Sequence, residues 1–179
     1  MSASYAVALT LAILDLTSIR PPPVETDPSQ LILYAHSRPL RWKWSSKWAK
    51  LIHKIADEEK EDPFLVAAVI SKESSFDPNK INPDTGAIGL MQVMPGSADH
   101  VLLGWQQART KSVPLERILV PATNLRVGIR ILKRYKLLCE GDLVKALSAY
   151  AGLGCVESAY GKEVERRWLR ARAFYQPAG

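Results

Sequence analysis

Glu73 is the residue in this sequence best placed for acid–base chemistry. Its neighbours include Ile70 and Phe76, so its surroundings are apolar. Apolar surroundings disfavour a carboxylate and raise the pKa of the carboxyl group. A carboxyl group with a raised pKa can donate a proton near neutral pH, as a general acid must. Spacing alone favours the alternative, an exposed helical glutamate that forms an ion pair with Lys72 or Lys80, and the residues that follow Glu73 change this balance.

A second unusual segment follows Glu73 and runs from Gly86 to Pro95, with the sequence GAIGLMQVMP. Its two glycines, three residues apart, allow the backbone to approach another group closely. Gln92 places an amide in an otherwise apolar segment, which suits a groove that binds amides and hydroxyls. Methionines at this spacing are more typical of core packing, and we keep that interpretation for Met94.

The run from Ala68 to Pro95 resembles the catalytic core of lytic transglycosylases of the soluble-transglycosylase (SLT), lysozyme-like type. The shared pattern is Glu-Ser after an apolar helix, then Gly-Ala-x-Gly-Leu-Met-Gln-x-Met-Pro beginning thirteen residues after the glutamate. Asn124-x-x-x-Gly128 is similar to the third segment of the family, and Ala146–Gly152 (ALSAYAG) is similar to the fourth. The resemblance covers roughly residues 46–175, and four segments in the right order make it specific.

The scarcity of alternating apolar and polar residues predicts an all-α domain with at most a small hairpin near residues 79–88, and the resemblance implies that its fold is lysozyme-like. The resemblance also implies cleavage of the β-1,4 bond between N-acetylmuramic acid and N-acetylglucosamine in peptidoglycan, which leaves a 1,6-anhydro end. It implies no metal and no organic cofactor. Carried over position by position, the catalytic residue is Glu73 and the substrate-binding residues are Ser74, Gly89, Met91, Gln92 and Tyr150.

We expect a single carboxyl group to serve the reaction, although most glycosidases use two. Asp77 precedes Pro78 and suits the start of a turn, and Asp84 lies in a Pro-Asp-Thr-Gly turn where aspartate is favoured for backbone reasons. In the implied scheme Glu73 protonates the glycosidic oxygen and then accepts a proton from the C6 hydroxyl. That hydroxyl attacks C1 within the same sugar, which replaces a bimolecular step by an intramolecular one.

The fourth segment departs from the family pattern. An asparagine normally follows the tyrosine, whereas here Ala151 follows Tyr150 directly. Since that asparagine is implied to help shape the sugar site, the family geometry is not carried over to the 150–155 loop.

Three other functions are compatible with parts of the sequence. A hydrolytic muramidase of the same fold would use water in place of the C6 hydroxyl. A non-catalytic peptidoglycan-binding or assembly module, in a secretion system or phage particle, would not need a buried acid. Nucleic-acid binding would draw on the net charge of +6 and on basic clusters in residues 38–50 and 162–172, but no DNA- or RNA-binding motif accompanies them. We therefore expect peptidoglycan strands, and no nucleic acid, as the partner.

The length of 179 residues suits one domain, which we place at residues 42–179. Residues 1–41 form an N-terminal segment with a proline-rich linker at 20–30. Its apolar run, Tyr5–Leu14, is too short to span a bilayer as a helix, and no Lys or Arg precedes it. Two interpretations of this segment are therefore possible: a signal peptide or anchor, or an arm that packs on the domain. We expect the protein to be a monomer in the bacterial cell envelope or periplasm. Any association with the membrane would be through this N-terminal segment, and envelope-spanning machinery is a candidate partner.

Capping residues and helical periodicity divide the domain into helices. We predict a first helix from Ser45 or Ser46 to about Glu61 and a second that Asp62-Pro63 begins. A short helix at Leu90–Met94 is predicted to end at Pro95-Gly96, and a long one to follow Pro121. Asp142 caps the next helix, and the last runs from about Val156 to Phe174. The two cysteines, Cys139 and Cys155, match no metal-binding spacing, and whether they pair is open.

Overall fold

The computed structural model describes residues 42–175, which form seven α-helices. The helices are α1 (Trp42–Glu58), α2 (Pro63–Glu73), α3 (Pro95–Gln107), α4 (Leu115–Leu119), α5 (Pro121–Leu138), α6 (Leu143–Tyr150) and α7 (Ala159–Tyr175). The β-pairing within these residues consists of two isolated antiparallel bridges, from Ile88 to Ile81 and to Val93. The predicted all-α fold with at most a small hairpin is therefore confirmed. The predictions for residues 1–41 lie outside the described part of the chain.

Two aspartates begin helices as the sequence predicts. Oδ1 of Asp62 accepts a hydrogen bond from the backbone N–H of Phe64 at 2.8 Å, with Pro63 in the first turn of α2. Oδ1 of Asp142 accepts from the N–H of Lys145 at 3.0 Å at the start of α6. Each side chain satisfies a donor that the first helical turn leaves unpaired.

Three helix predictions are wrong in detail. Helix α1 begins at Trp42, so the two serines predicted to cap it lie inside the helix. The segment 90–94 is not helical, because Gln92 has a φ of +48° and Val93 pairs with Ile88. Pro95 begins α3 instead of ending a helix, since its fixed φ and missing N–H suit the first turn.

Helix α2 is buried along most of its length. All seven residues from Phe64 to Ile70 are buried, because α1 and α7 pack against it. Helix α5 packs in turn against α1, α3, α4 and α6, and α6 packs against α7. The last turn of α2 leaves this core, and Glu73 lies at that point.

Cys139 and Cys155 form a disulfide, with their Cα atoms 5.4 Å apart. The bond joins the residue that follows α5 to the irregular segment between α6 and α7. None of the helices in residues 42–175 is long and apolar enough to cross a membrane.

Candidate active site

Glu73 opens onto a cleft of about 420 Å³. The end of α2, the 82–94 loop and the start of α3 form one part of its wall, and α5, the end of α6 and the start of α7 form the rest. The lining residues are Glu73, Asn82, Thr85, Ala87, Gln92, Val93, Met94, Ser97, Ile131, Tyr135, Tyr150, Ala151, Gly152 and Tyr160.

The carboxyl group of Glu73 has a raised pKa. Burial is the largest cause, because the charged form loses its hydration. A hydrogen bond from Tyr160 and the positive charges of Lys80 and Lys72 act in the opposite direction without cancelling the effect of burial. A protonated carboxyl group that faces an open cleft is suited to donate its proton to a bound molecule.

Tyr160 is the nearest polar partner of Glu73, and sequence reasoning missed it. Its hydroxyl donates a hydrogen bond to Oε1 of Glu73. The only signal in the sequence is a tyrosine in the first turn of an otherwise strongly charged helix. That turn lies close to α6, since a Cβ on Gly161 would come within 2.3 Å of the carbonyl oxygen of Val144.

The lysines near Glu73 are held by other groups. Nζ of Lys72 lies 2.5 Å from Oε2 of Glu163 on α7. Nζ of Lys80 donates to the backbone carbonyl of Glu73, not to its carboxylate. Among the ion pairs of residues 42–175, neither lysine is paired with the Glu73 side chain, which removes the alternative interpretation of Glu73 as a surface ion-pair residue.

Asn124 fixes the loop that carries the GAIGLMQVMP motif. Its buried amide nitrogen donates to the carbonyl oxygens of Ile88 at 2.9 Å and Ile118 at 3.2 Å. Its Oδ1 accepts from the N–H of Met91 at 2.8 Å. Gly89 lies against this amide, because a Cβ there would come within 2.4 Å of Nδ2 of Asn124. The glycine in the motif thus serves a close approach between the loop and α5.

Three residues predicted to bind substrate do not line the cleft. Ser74 is only 4% exposed, and its hydroxyl donates to the carbonyl of Ile70 at 3.3 Å. Met91 is fully buried, and a Cβ on Gly128 would come within 2.5 Å of its sulfur. Gly89 faces Asn124. Each of these residues contacts α2 or α5 instead.

Met94 lines the cleft although it was not predicted to do so. The sequence predicts core packing for Met94, but the residue is 44% exposed and lines the cleft. Met94 has an extended backbone and directly precedes the first turn of α3, so it lies where the loop meets that helix at the cleft.

Gln92 and Tyr150 do line the cleft, and both are anchored by hydrogen bonds to the backbone. Nε2 of Gln92 donates to the carbonyl oxygens of Lys80 at 3.1 Å and Gly89 at 3.0 Å. This leaves its amide oxygen as an acceptor for a ligand. The hydroxyl of Tyr150 donates to the carbonyl of Met91 at 2.7 Å and not to Glu73.

Glu73 is the only acidic residue among those described as lining the cleft. Asp77 accepts a hydrogen bond from the N–H of Asn79 at 2.9 Å, as expected of a turn residue. Asp84 is exposed in the next turn. Within residues 42–175, no group of three His, Cys, Asp or Glu side chains is arranged to hold a metal ion.

The family model of the transglycosylase SLT domain matches residues 50–168. The chain belongs to this family. The resemblance seen in the sequence is therefore confirmed, and the SLT domain includes the cleft, Glu73 and the disulfide.

Two relatives of this chain are named transglycosylases. The chain is 33% identical over 104 residues to the soluble lytic murein transglycosylase of Salmonella typhimurium, a match that covers 55% of this chain and 15% of that protein. It is 34% identical over 106 residues to the transglycosylase of Enterobacteria phage PRD1, which covers 59% of this chain and 35% of that protein. The chain thus matches only a minor part of each of these proteins.

A solved structure has the same fold. It is an inactive mutant of the lytic transglycosylase Slt from Pseudomonas aeruginosa, with a TM-score of 0.52 and 20% sequence identity. The match covers 74% of this chain and 22% of that one. This likeness establishes the fold of the SLT domain, which is the lysozyme-like helical fold expected from the sequence.

Proposed function

We propose that this chain is a peptidoglycan lytic transglycosylase that uses Glu73 as its single acid/base. It cleaves the β-1,4 bond between N-acetylmuramic acid and N-acetylglucosamine and leaves a 1,6-anhydro end. The observation that supports this most directly is a carboxyl group with a raised pKa, the only acid described in the lining of an open cleft. Membership of the SLT family supports the choice of substrate.

In this scheme Glu73 acts twice. Its proton passes to the glycosidic oxygen as the bond to C1 breaks, and the acetamido group of the sugar stabilises the resulting cation. The carboxylate then accepts the proton of the C6 hydroxyl, which attacks C1 and closes the anhydro ring. Tyr160 assists between the two transfers, because a hydrogen bond to a carboxylate stabilises the charged form. Water is not consumed.

The other cleft residues are proposed to hold the glycan. The amide oxygen of Gln92 can accept from a sugar hydroxyl or acetamido N–H, because its nitrogen is already bonded to the loop. Asn82 has the opposite arrangement. Its Oδ1 accepts from the N–H groups of Asp84 and Thr85. Its amide nitrogen is therefore available as a donor. Tyr135 and Tyr150 offer ring surfaces to the sugars.

Product analysis tests the proposal. Purified peptidoglycan is digested, and the soluble muropeptides are separated and weighed by mass spectrometry. Anhydro ends are lighter by one water than hydrolysed ends, so they identify a transglycosylase. Reducing ends would show a hydrolytic muramidase instead, and no release of muropeptides would favour a binding or assembly module. Glu73→Gln is the control for contaminating activity. Because peptidoglycan lies in the bacterial cell envelope, we propose that the protein acts there. We also propose that envelope machinery recruits it.

A further inference from the structure

The segment of residues 151–158 joins the two tyrosines that flank Glu73 in the cleft. Tyr150 ends α6 and Tyr160 lies in the first turn of α7. Ala151 and Gly152, at the start of the segment, form part of the cleft rim. Residues 151–157 are all exposed, so the segment is not held in place by burial in the core.

Hydrogen bonds join both ends of this segment to α6. Within the segment the N–H of Val156 donates to the carbonyl of Gly154 at 2.8 Å, and Glu157 forms an ion pair with Lys162 of α7. At its start the N–H groups of Gly152 and Leu153 donate to the carbonyls of Ala149 and Ser148, each at 3.0 Å. At its end the hydroxyl of Ser158 is 2.7 Å from that of Ser148. Between these ends, in the described part of the chain, the disulfide of Cys155 is the connection to an element outside α6 and α7.

The other cysteine of the disulfide is held by packing in the core. Cys139 is buried and packs in a small cluster with Ala146 and Ala149 of α6 and Tyr135 of α5. Tyr135 and Ile131, on the same helix, line the cleft. The disulfide therefore connects an exposed rim segment to the residue that follows α5, a helix that also lines the cleft.

We propose that the Cys139–Cys155 disulfide positions the rim of the glycan cleft, so that its reduction weakens substrate binding while the acid/base centre stays assembled. The inference rests on the proposed function only for the identity of the ligand. The positioning role itself rests on the exposed segment, its two end anchors and the disulfide between them.

The acid/base centre has separate supports. Helix α7 is joined to α2 by the ion pair of Lys72 with Glu163 and by a hydrogen bond of 2.7 Å from Arg167 to the hydroxyl of Ser71. These contacts hold Tyr160 next to Glu73 without help from the disulfide. Reduction should therefore act on substrate binding far more than on the chemical step.

The experiment compares three forms with a soluble glycan oligomer: the oxidised protein, the protein treated with dithiothreitol, and Cys155→Ser. Dithiothreitol supplies two electrons and two protons, so the S–S bond becomes two thiols and the reductant becomes a cyclic disulfide. Cys155 is the residue of choice because it is exposed, so Cys139 keeps its packing in the cluster. We expect KM to rise several-fold in both altered forms, with kcat within about twofold of the oxidised protein and the basic limb of the pH profile unchanged.

Dithiothreitol should have no further effect on Cys155→Ser, which controls for side effects of the reductant. Hydrogen exchange should show faster exchange in residues 151–157 of the reduced form and unchanged protection in α2. Equal KM values in all three forms would overturn the positioning role, as would unchanged exchange in the segment. If the oxidised protein has no turnover, the proposed function fails by itself. The disulfide is then tested by glycan affinity of the same three forms, where equal Kd values would overturn it.

Discussion

The hydroxyl of Tyr160 donates a hydrogen bond to Oε1 of Glu73, across 87 residues of sequence. Burial raises the pKa of Glu73, and this hydrogen bond lowers it by stabilising the carboxylate. In the proposed mechanism, these two opposing effects on the pKa would let one carboxyl group serve first as an acid and then as a base. A carboxyl group that was only buried would donate its proton poorly, because the carboxylate left behind would be unsupported.

Tyr160→Phe should lower activity and shift its pH dependence. The substitution removes one hydrogen bond to a charged group, worth about 1.5–3 kcal/mol, which corresponds to a drop of roughly ten- to more than a hundredfold in kcat/KM. Without the hydroxyl the pKa of Glu73 rises, so the basic limb of the pH profile moves to higher pH. Stopped assays at several pH values measure both effects. An unchanged basic limb would mean that Tyr160 does not act on Glu73.

Glu73→Gln should abolish turnover and leave the fold intact. The amide is nearly isosteric but cannot donate and retake a proton, and positioned proton transfer contributes about 10²–10⁴-fold. Glu116→Gln, at an exposed position of α4, is the matched control and should have full activity. Residual activity of Glu73→Gln above about a tenth of the original would exclude Glu73 as the acid/base.

The same variant should be more stable than the original protein at alkaline pH. The folded protein binds the proton of Glu73 more tightly than the unfolded chain does, because burial raises the pKa. The free energy of unfolding therefore falls as pH rises from the unfolded pKa to the folded pKa, and stays reduced above it. Glutamine does not titrate and escapes this loss. Thermal melts at acidic and alkaline pH should show a gain in Tm for Glu73→Gln only at alkaline pH.

Lys80→Met should move the basic limb of the pH profile to higher pH. The positive charge of Lys80 lowers the pKa of Glu73, and removing it lets the pKa rise further. The protonated acid then persists to higher pH. Lys50→Met, at an exposed position of α1, is the control for a change in net charge alone. Equal shifts in both variants would attribute the effect to net charge.

Gly89→Ala should be more destabilising than Gly86→Ala. Both glycines have positive φ values, +78° and +73°, so alanine is strained at both positions at a cost of about 1–3 kcal/mol. Only at Gly89 would the new Cβ also collide with Asn124, whereas nothing lies within 4 Å of a Cβ on Gly86. Urea denaturation of both variants measures the difference. Equal losses in the free energy of unfolding would show that the loop can move away from α5 without destabilising the protein.

Tyr150→Phe should affect stability as well as activity. The hydroxyl donates to the backbone carbonyl of Met91, so its loss leaves a buried acceptor unpaired at a cost of about 1–3 kcal/mol. Since the contact holds the cleft wall and not Glu73 itself, we expect a lower Tm and a raised KM with the pH profile unchanged. A changed basic limb with an unchanged Tm would instead place the hydroxyl at the acid.

The sequence by itself determined the features that depend on neighbours along the chain. Asp62-Pro63 and Asp142 begin helices because a capping side chain bonds to N–H groups two or three residues away. The motif segments also sufficed to identify the family and the helical fold, since their residue types and order are specific, and they led to Glu73 as the proposed acid/base.

Only the tertiary structure decided which side chains face the cleft. Ser74 and Met91 belong to the motifs yet point into the core, while Met94 faces the cleft. The contact between Tyr160 and Glu73 and the pairing of the two cysteines depend on how α6 and α7 pack against α2 and α5. The physical reason is that the direction of a side chain in a loop depends on positive φ values and long-range packing. Local spacing in the sequence does not encode either of these.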